Sequence, residues 1–207
     1  MPQNPIPALG NSLTPGNSST PNRIGYQGES LTADRHARDY EAANAQAIFT
    51  GANSLATPVT TSVGLATTYV GLCLSNPAAS GKKLVLLSAA AALLVAPTLI
   101  TTLGLIVGYA AGGITAHTTA LTPLCSYLNG AAGVGLVDSA CTLVGTPAYA
   151  KILGQAPTAT TSFSIDRDIN GAIIIPPGGY VAFGTNIAGP ASGFVGSFVW
   201  EEVAIPA

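Results

Sequence analysis

Residues 84–137 contain no Asp, Glu, Lys or Arg, and widening the window to residues 42–137 adds only Lys82 and Lys83. Ordinary soluble domains are about one quarter charged, whereas this chain is 8% charged. Charge keeps an isolated surface hydrated and separate from its copies. A chain this poor in charge must hide or share much of its exterior. It can do so in a bilayer, against copies of itself, or inside a larger assembly.

The bilayer has a specific candidate. The stretch from Leu84 to Tyr109 exceeds the roughly 20 apolar residues a membrane helix needs, and Lys82 and Lys83 stand where a positive flank would. Against it, Pro97, Thr98, Thr101, Thr102 and Gly104 interrupt the run. The residues after Gly108 stay uncharged but become rich in Gly and Thr. Thr, Val and Ile recur along the whole chain, which suits strands better than helices. The reading adopted is therefore all-β. It expects strands over 68–75, over 84–96 (buried on both faces) and over 98–109, then shorter ones near 114–118, 139–144 and 161–165. Ala89–Ala92 would favour helix locally and weakens the second of these.

The C-terminal third is the clearest. Gly171-Ala-Ile-Ile-Ile, a Pro176-Pro-Gly-Gly turn and Tyr180-Val-Ala-Phe read as two strands, with a last one over residues 194–203. Period-two alternation puts Phe198 and Trp200 on one face and Val199 and Glu201 on the other. Strands at this spacing with Gly/Pro turns indicate a β-sandwich or jelly roll rather than βαβ units.

The start of the chain is different. Residues 1–23 are Pro, Asn, Ser, Thr and Gly with scattered Leu and Ile, too little apolar surface to order alone. Six of the sixteen formal charges then fall within residues 29–41. Thr32 can cap a short helix and Asp34/Arg38 is an i,i+4 pair within it. Residues 1–50 are thus expected to be an extended N-terminal arm with a short linker or helix, and residues 51–207 the sandwich. Tyr26, Glu29, Asp34, Arg35, Arg38 and Asp39 are the candidate interaction residues of this arm, docking on a neighbouring subunit. The opening Met1-Pro-Gln-Asn-Pro-Ile-Pro lacks the basic start and apolar core of a secretory signal, so synthesis in the cytoplasm is expected.

Chemistry is sparse. A net charge of −2 and 6% aromatics argue against nucleic-acid binding. Cys73, Cys125 and Cys141 are widely spaced, without a CxxC pair, and read as buried small hydrophobes. Glu201 and Glu202 are adjacent on a strand and point to opposite faces, so they cannot clamp one bond. Asp166-Arg167-Asp168-Ile-Asn170-Gly171 echoes the start of a calcium loop but has Pro177 where the bidentate Glu belongs, and reads as a turn with solvated carboxylates. His117 has Ser126 and Cys125 as conceivable nucleophiles but no GxSxG and no orienting carboxylate nearby in sequence, and reads as a strand histidine bonded to Thr neighbours. The Gly-rich runs 104–113 and 130–135 lack the Lys-Ser/Thr of a phosphate loop and read as close packing. The expectation is no enzyme, no metal and no cofactor.

The blocks Tyr26-Gln-Gly-Glu, Thr67-Thr-Tyr-Val-Gly-Leu-Cys-Leu-Ser-Asn-Pro, Ser80-Gly-Lys-Lys-Leu-Val-Leu-Leu, Thr115-Ala-His-Thr-Thr-Ala-Leu-Thr-Pro, Ile173-Ile-Ile-Pro-Pro-Gly-Gly-Tyr-Val-Ala-Phe and Ser197-Phe-Val-Trp-Glu-Glu-Val together resemble a group of tailed-bacteriophage virion structural proteins. The resemblance covers most of residues 25–203. It implies a non-enzymatic virion protein, a capsid decoration or cement protein that forms a homo-oligomer, expected as a trimer, and binds the major capsid protein through its arm. A tail or fibre-base component with a receptor- or glycan-binding β-domain is the alternative, for which Tyr109, Tyr127, Tyr149 and Trp200 are the aromatic candidates. Neither nucleic acid nor membrane is an expected partner.

Overall fold

A computed structural model of the chain describes residues 39–54, 68–114, 116–158, 163–186 and 193–206. The chain divides into a first unit, 1–40, and a second, 41–207. Of the first, only Asp39 and Tyr40 are among the described residues. Tyr26, Glu29, Asp34, Arg35 and Arg38, the Thr32 cap and the Asp34/Arg38 pair lie outside them. A five-residue helix, α1 (Tyr40–Asn44), precedes the strands.

The second unit is all-β, two packed antiparallel sheets. Its strands are β1 (Ile48–Ala52), β2 (Thr68–Ser75), β3 (Lys82–Val95), β4 (Thr101–Tyr109), β5 (Ala116–Leu121), β6 (Leu124–Cys125), β7 (Leu136–Thr142), β8 (Ala148–Ala156), β9 (Ser164–Ile175), β10 (Gly179–Thr185) and β11 (Gly193–Ala204). β1 thus crosses the 50/51 boundary expected from composition. One sheet has the order β6-β1-β11-β3-β9 and the other β5-β7-β2-β10-β4-β8.

The pairings are nested. β1 pairs with β11, β2 with β10, β3 with β9 and β4 with β8, all antiparallel. The chain is a long two-stranded ribbon, rolled so that β11 also meets β3 and β10 also meets β4. A ribbon rolled in this way is a jelly roll. Residues 110–147 are an insertion at the closed end of the ribbon, between β4 and β8. It returns to the opposite side, where β6 pairs with β1 and β7 pairs with β2. Two otherwise bare strand edges are thereby covered.

Alternation builds the core between the sheets. β11 contributes Phe194, Phe198 and Trp200, β4 contributes Leu103 and Leu105, and β10 contributes Val181 and Phe183, all buried in one cluster. Phe183 stacks on Phe198 at 4.7 Å and Phe49 on Trp200 at 6.1 Å between ring centroids. Each such side chain contributes about 1.5–3 kcal/mol by leaving water.

Two sequence expectations need correction. β3 is not buried on both faces: Leu84, Leu86, Ala89 and Ala91 are buried while their neighbours are half-covered. The buried parity changes from even to odd because Leu87 is an extra residue, placed between Leu86 and Ser88 while Trp200 and Val199 opposite them are adjacent. Bulges of this kind flip the facing of every later residue. The strand covered on both faces is β10, all seven residues of which are buried.

Secondly, Asp166–Gly171 is not a turn. It lies within β9, which kinks at Asn170 and Gly171 (φ 53° and 78°). There the four residues 169–172 face the single Leu87 of β3. Gly171 has the left-handed backbone that a residue with a Cβ adopts only with strain. The run that rivalled the strand reading as a membrane helix is two strands, β3 and β4, in different sheets, as the all-β reading expected. No helix among the described residues is long and apolar enough to cross a membrane.

Candidate functional site

The insertion supplies the features that stand apart from a plain sandwich. Glu202 on β11 is buried and holds the insertion to the body. Its Oε1 accepts hydrogen bonds from the backbone N–H of Val134 (2.7 Å) and Gly135 (2.9 Å), while Oε2 accepts from Lys82 Nζ (3.0 Å). Three charge-assisted bonds satisfy a carboxylate that would otherwise be costly to bury. Gly133 and Gly135 leave the space that Phe49, Trp200 and Glu202 fill. The reading of residues 130–135 as close packing therefore holds here at the level of individual contacts.

Beyond the outer face of the six-stranded sheet lies a second, smaller apolar cluster: Tyr69, Cys73, Ile106, Cys141, Leu143, Tyr180 and Ala182, with Ile114 and Val144 of the insertion packed on it. It is polar inside. The Tyr69 hydroxyl donates toward the carbonyls of Phe183 (2.7 Å) and Leu72 (3.1 Å), and the Tyr180 hydroxyl donates to that of Val144 (3.1 Å). Gly71 permits this, since its φ of 140° and bare Cα let the Tyr69 ring lie over the backbone.

His117 and Asp138 adjoin this cluster. His117 Nδ1 meets Asp138 Oδ2 at 2.7 Å across β5 and β7. The sequence showed no orienting carboxylate because 21 residues separate the two, and the partner is that carboxylate rather than a Thr neighbour. Asp138 is fully buried, its Oδ1 has no hydrogen-bond partner among the described residues, and Cys73 stands opposite it on β2. Burial pushes the Asp138 carboxyl up from its usual range, and the His117 contact pulls it back.

Cys73 is also buried, within hydrogen-bonding reach of Cys141. Burial, then the contact with Cys141, then the Asp138 charge push its thiol well up. A reactive thiol needs the opposite, a lowered pKa and access to solvent. The Cys73–Asp138–His117 neighbourhood is chemically an anchor for the edge strand β5 rather than an activated nucleophile. All three cysteines are free thiols. No group of three or more His, Cys, Asp or Glu among the described residues has the geometry to hold a metal ion.

The remaining candidates fall into two sets. Trp200 cannot be a surface platform, because it is wholly buried in the main core; Tyr109, Tyr127 and Tyr149 are exposed. Asp39 stands just before α1 with an interaction partner of its own. Asp166, Arg167 and Asp168 line the solvent edge of β9, where charge discourages pairing with another sheet.

What sequence reasoning missed is where the exposed apolar groups lie. Leu124, Tyr127 and Leu128 project from the insertion on one side, and Tyr109, Ile152 and Ile174 stand on or beside the opposite edge strands β8 and β9. Near the latter a groove of about 420 Å³ is lined by Val107, Tyr109, Ala150, Ile173, Ile174 and Pro176 among others, none of them charged. Comparison of the chain with protein-family models, curated proteins and solved structures finds no match. Function therefore rests on the geometry and on the sequence blocks above.

Proposed function

We propose that this chain is a virion structural protein, a capsid decoration or cement protein that self-associates as a trimer. Its N-terminal arm, including Tyr26, Glu29, Asp34, Arg35, Arg38 and Asp39, attaches it to the major capsid shell. It is made in the host cytoplasm and acts by covering surface rather than by catalysis. The observation that carries this reading is the exterior of the sandwich. Residues 42–207 hold nine charged side chains, two of which, Asp138 and Glu202, are buried. Meanwhile Leu124, Leu128, Ile152 and Ile174 are each more than half exposed. Surfaces of that composition suit permanent contact, and jelly rolls are a recurrent architecture of capsid proteins.

Light scattering on the purified full chain, followed by deletion of residues 1–24, tests the proposal. A stable oligomer that survives the deletion but binds shells more weakly is the expected result. A monomer, or undiminished shell binding after deletion, overturns it. The alternative of a tail component that binds a receptor glycan draws on the exposed rings of Tyr109, Tyr127 and Tyr149, and a glycan array separates the two.

A further inference from the structure

The dipeptide Asn-Gly occurs twice in the chain, at Asn129-Gly130 and at Asn170-Gly171. It is the step at which a polypeptide most readily modifies itself. The backbone nitrogen after an asparagine attacks the side-chain carbonyl carbon, and glycine has no Cβ to shield that nitrogen. Asparagine is among the thermolabile residues for this reason. Both sites here have an exposed Asn and a half-exposed Gly, and both Asn residues are left-handed, with φ 67° at Asn129 and 53° at Asn170. Exposure and local conformation therefore do not separate them. Backbone setting does.

The Gly130 N–H is committed. It donates to the Tyr127 carbonyl (2.8 Å) and closes the turn that follows β6. The space beside it is filled, since a Cβ on Gly130 would meet Cys125 Sγ at 2.7 Å and the Tyr127 carbonyl oxygen at 2.8 Å. Swinging this nitrogen toward the Asn129 side chain breaks both the bond and the packing. Gly171 is set differently. β9 ends the five-stranded sheet, so one of its edges has no neighbouring strand among the described residues. On its paired side the regular rows stop where Asp168 faces Ser88 and resume where Ile173 faces Leu86. Gly171 falls between them, and among the described residues only Val85 Cγ1, at 3.1 Å, would crowd a Cβ there. Backbone at a bulge on a sheet edge opens at lower cost than backbone inside a ladder.

We infer that the β9 kink is a self-modification site, at which Asn170 converts to aspartate and isoaspartate while Asn129 is spared in the folded chain. The Gly171 nitrogen loses its proton and forms a bond to Asn170 Cγ. The Cγ–Nδ2 bond breaks, and the amide group takes up a proton and leaves as ammonia. One water then opens the cyclic imide at either carbonyl, giving an aspartyl link or an isoaspartyl link with one more main-chain carbon. Either product carries a new carboxylate. Two Asp against one Arg give β9 a formal charge of −1, which becomes −2. The added charge reinforces what already deters pairing at this edge. The kink has no regular row to displace, so the longer isoaspartyl link leaves the register on either side in place.

The test ages the full chain in heavy-oxygen water, at neutral and at alkaline pH, and follows the peptides containing residues 129 and 170 by mass spectrometry. A parallel sample in denaturant is the reference, because without folded structure the two dipeptides have the same chemistry. In the folded chain, residue 170 is expected to gain a heavy-oxygen carboxyl several-fold faster than residue 129. The rate is expected to rise at alkaline pH, where the amide proton leaves more readily. In denaturant the two sites are expected to react alike. A folded chain in which residue 129 keeps pace with residue 170, or in which residue 170 stays unchanged after the denatured sample has reacted, overturns the inference. Gly171→Ala, with folding checked by circular dichroism, is expected to slow the reaction at residue 170 several-fold and leave residue 129 unaffected. An unchanged rate overturns attack by that nitrogen. Should this variant misfold at the left-handed φ of 78°, Asn170→Gln replaces it. Its longer side chain closes the ring far less readily, so residue 170 is expected to gain almost no heavy oxygen, and undiminished uptake there overturns the inference.

Discussion

The sandwich has two apolar clusters of opposite character. Between the sheets, Phe49, Phe183, Phe198 and Trp200 stack in pairs within a shell of Leu and Ile. Beyond the outer face of the six-stranded sheet, Tyr69, Tyr180, Cys73 and Cys141 bring hydroxyls and thiols into a buried space beside Asp138. The first cluster gains chiefly from area, although Trp200 buries its Nε1–H with no acceptor among the described residues. The second depends on each polar atom finding a partner, because an unpaired buried group costs about 1–3 kcal/mol. The inner cluster should therefore set overall stability, and the outer one should set how firmly the insertion and its edge strands sit.

The largest expected effect lies in the inner cluster. Trp200→Ala should cost about 3–5 kcal/mol, enough to unfold much of the population near body temperature in a chemical-denaturation series. A loss under about 1 kcal/mol would mean that the core does not depend on the Phe49–Trp200 stack. Tyr69→Phe keeps the ring of the outer cluster and removes the hydroxyl bonded to Phe183 and Leu72. It should cost about 1 kcal/mol, a drop of roughly 2–4 °C in melting temperature for a domain of this size. An unchanged midpoint would erase the distinction between the clusters.

The smallest effect is a slope. Burial raises the Asp138 carboxyl, so the folded chain keeps that proton to higher pH than the unfolded chain does. This contribution to stability is full below the unfolded carboxylate pKa and is lost as pH rises through the folded one. Asp138→Asn should flatten that part of the decline when melting temperature is followed from acid to neutral pH. An identical slope in the variant would show that His117 holds the carboxylate ionised despite its burial.

The inner cluster was legible in the sequence to an unusual degree. Phe198 and Trp200 alternate on β11 as period two demands, and the Pro176-Pro-Gly-Gly turn sits between β9 and β10 where the composition put it. The failures share one cause. Leu87 adds a single residue to β3, and Asn170–Gly171 kinks β9 opposite it. A bulge is one residue out of step with a neighbouring strand, so it is defined by a partner that the local sequence does not contain. The apolar run over β3 therefore looked two-sided, and the β9 kink looked like a turn. The outer cluster was hidden for a related reason. Tyr69, Cys73, Asp138 and His117 come from three strands, and no local pattern links them.

By itself the sequence favoured sheet over a membrane helix for the charge-poor middle, because Pro97, repeated Gly and β-branched residues suit strands and break helices. Tertiary structure alone decided which residues meet: the nested pairing of the ribbon, the return of the insertion to the far edge, and the His117–Asp138 contact. Strand preference is written in each residue's own backbone and side chain. Register and topology are relations between residues tens of positions apart, fixed only when the whole ribbon rolls.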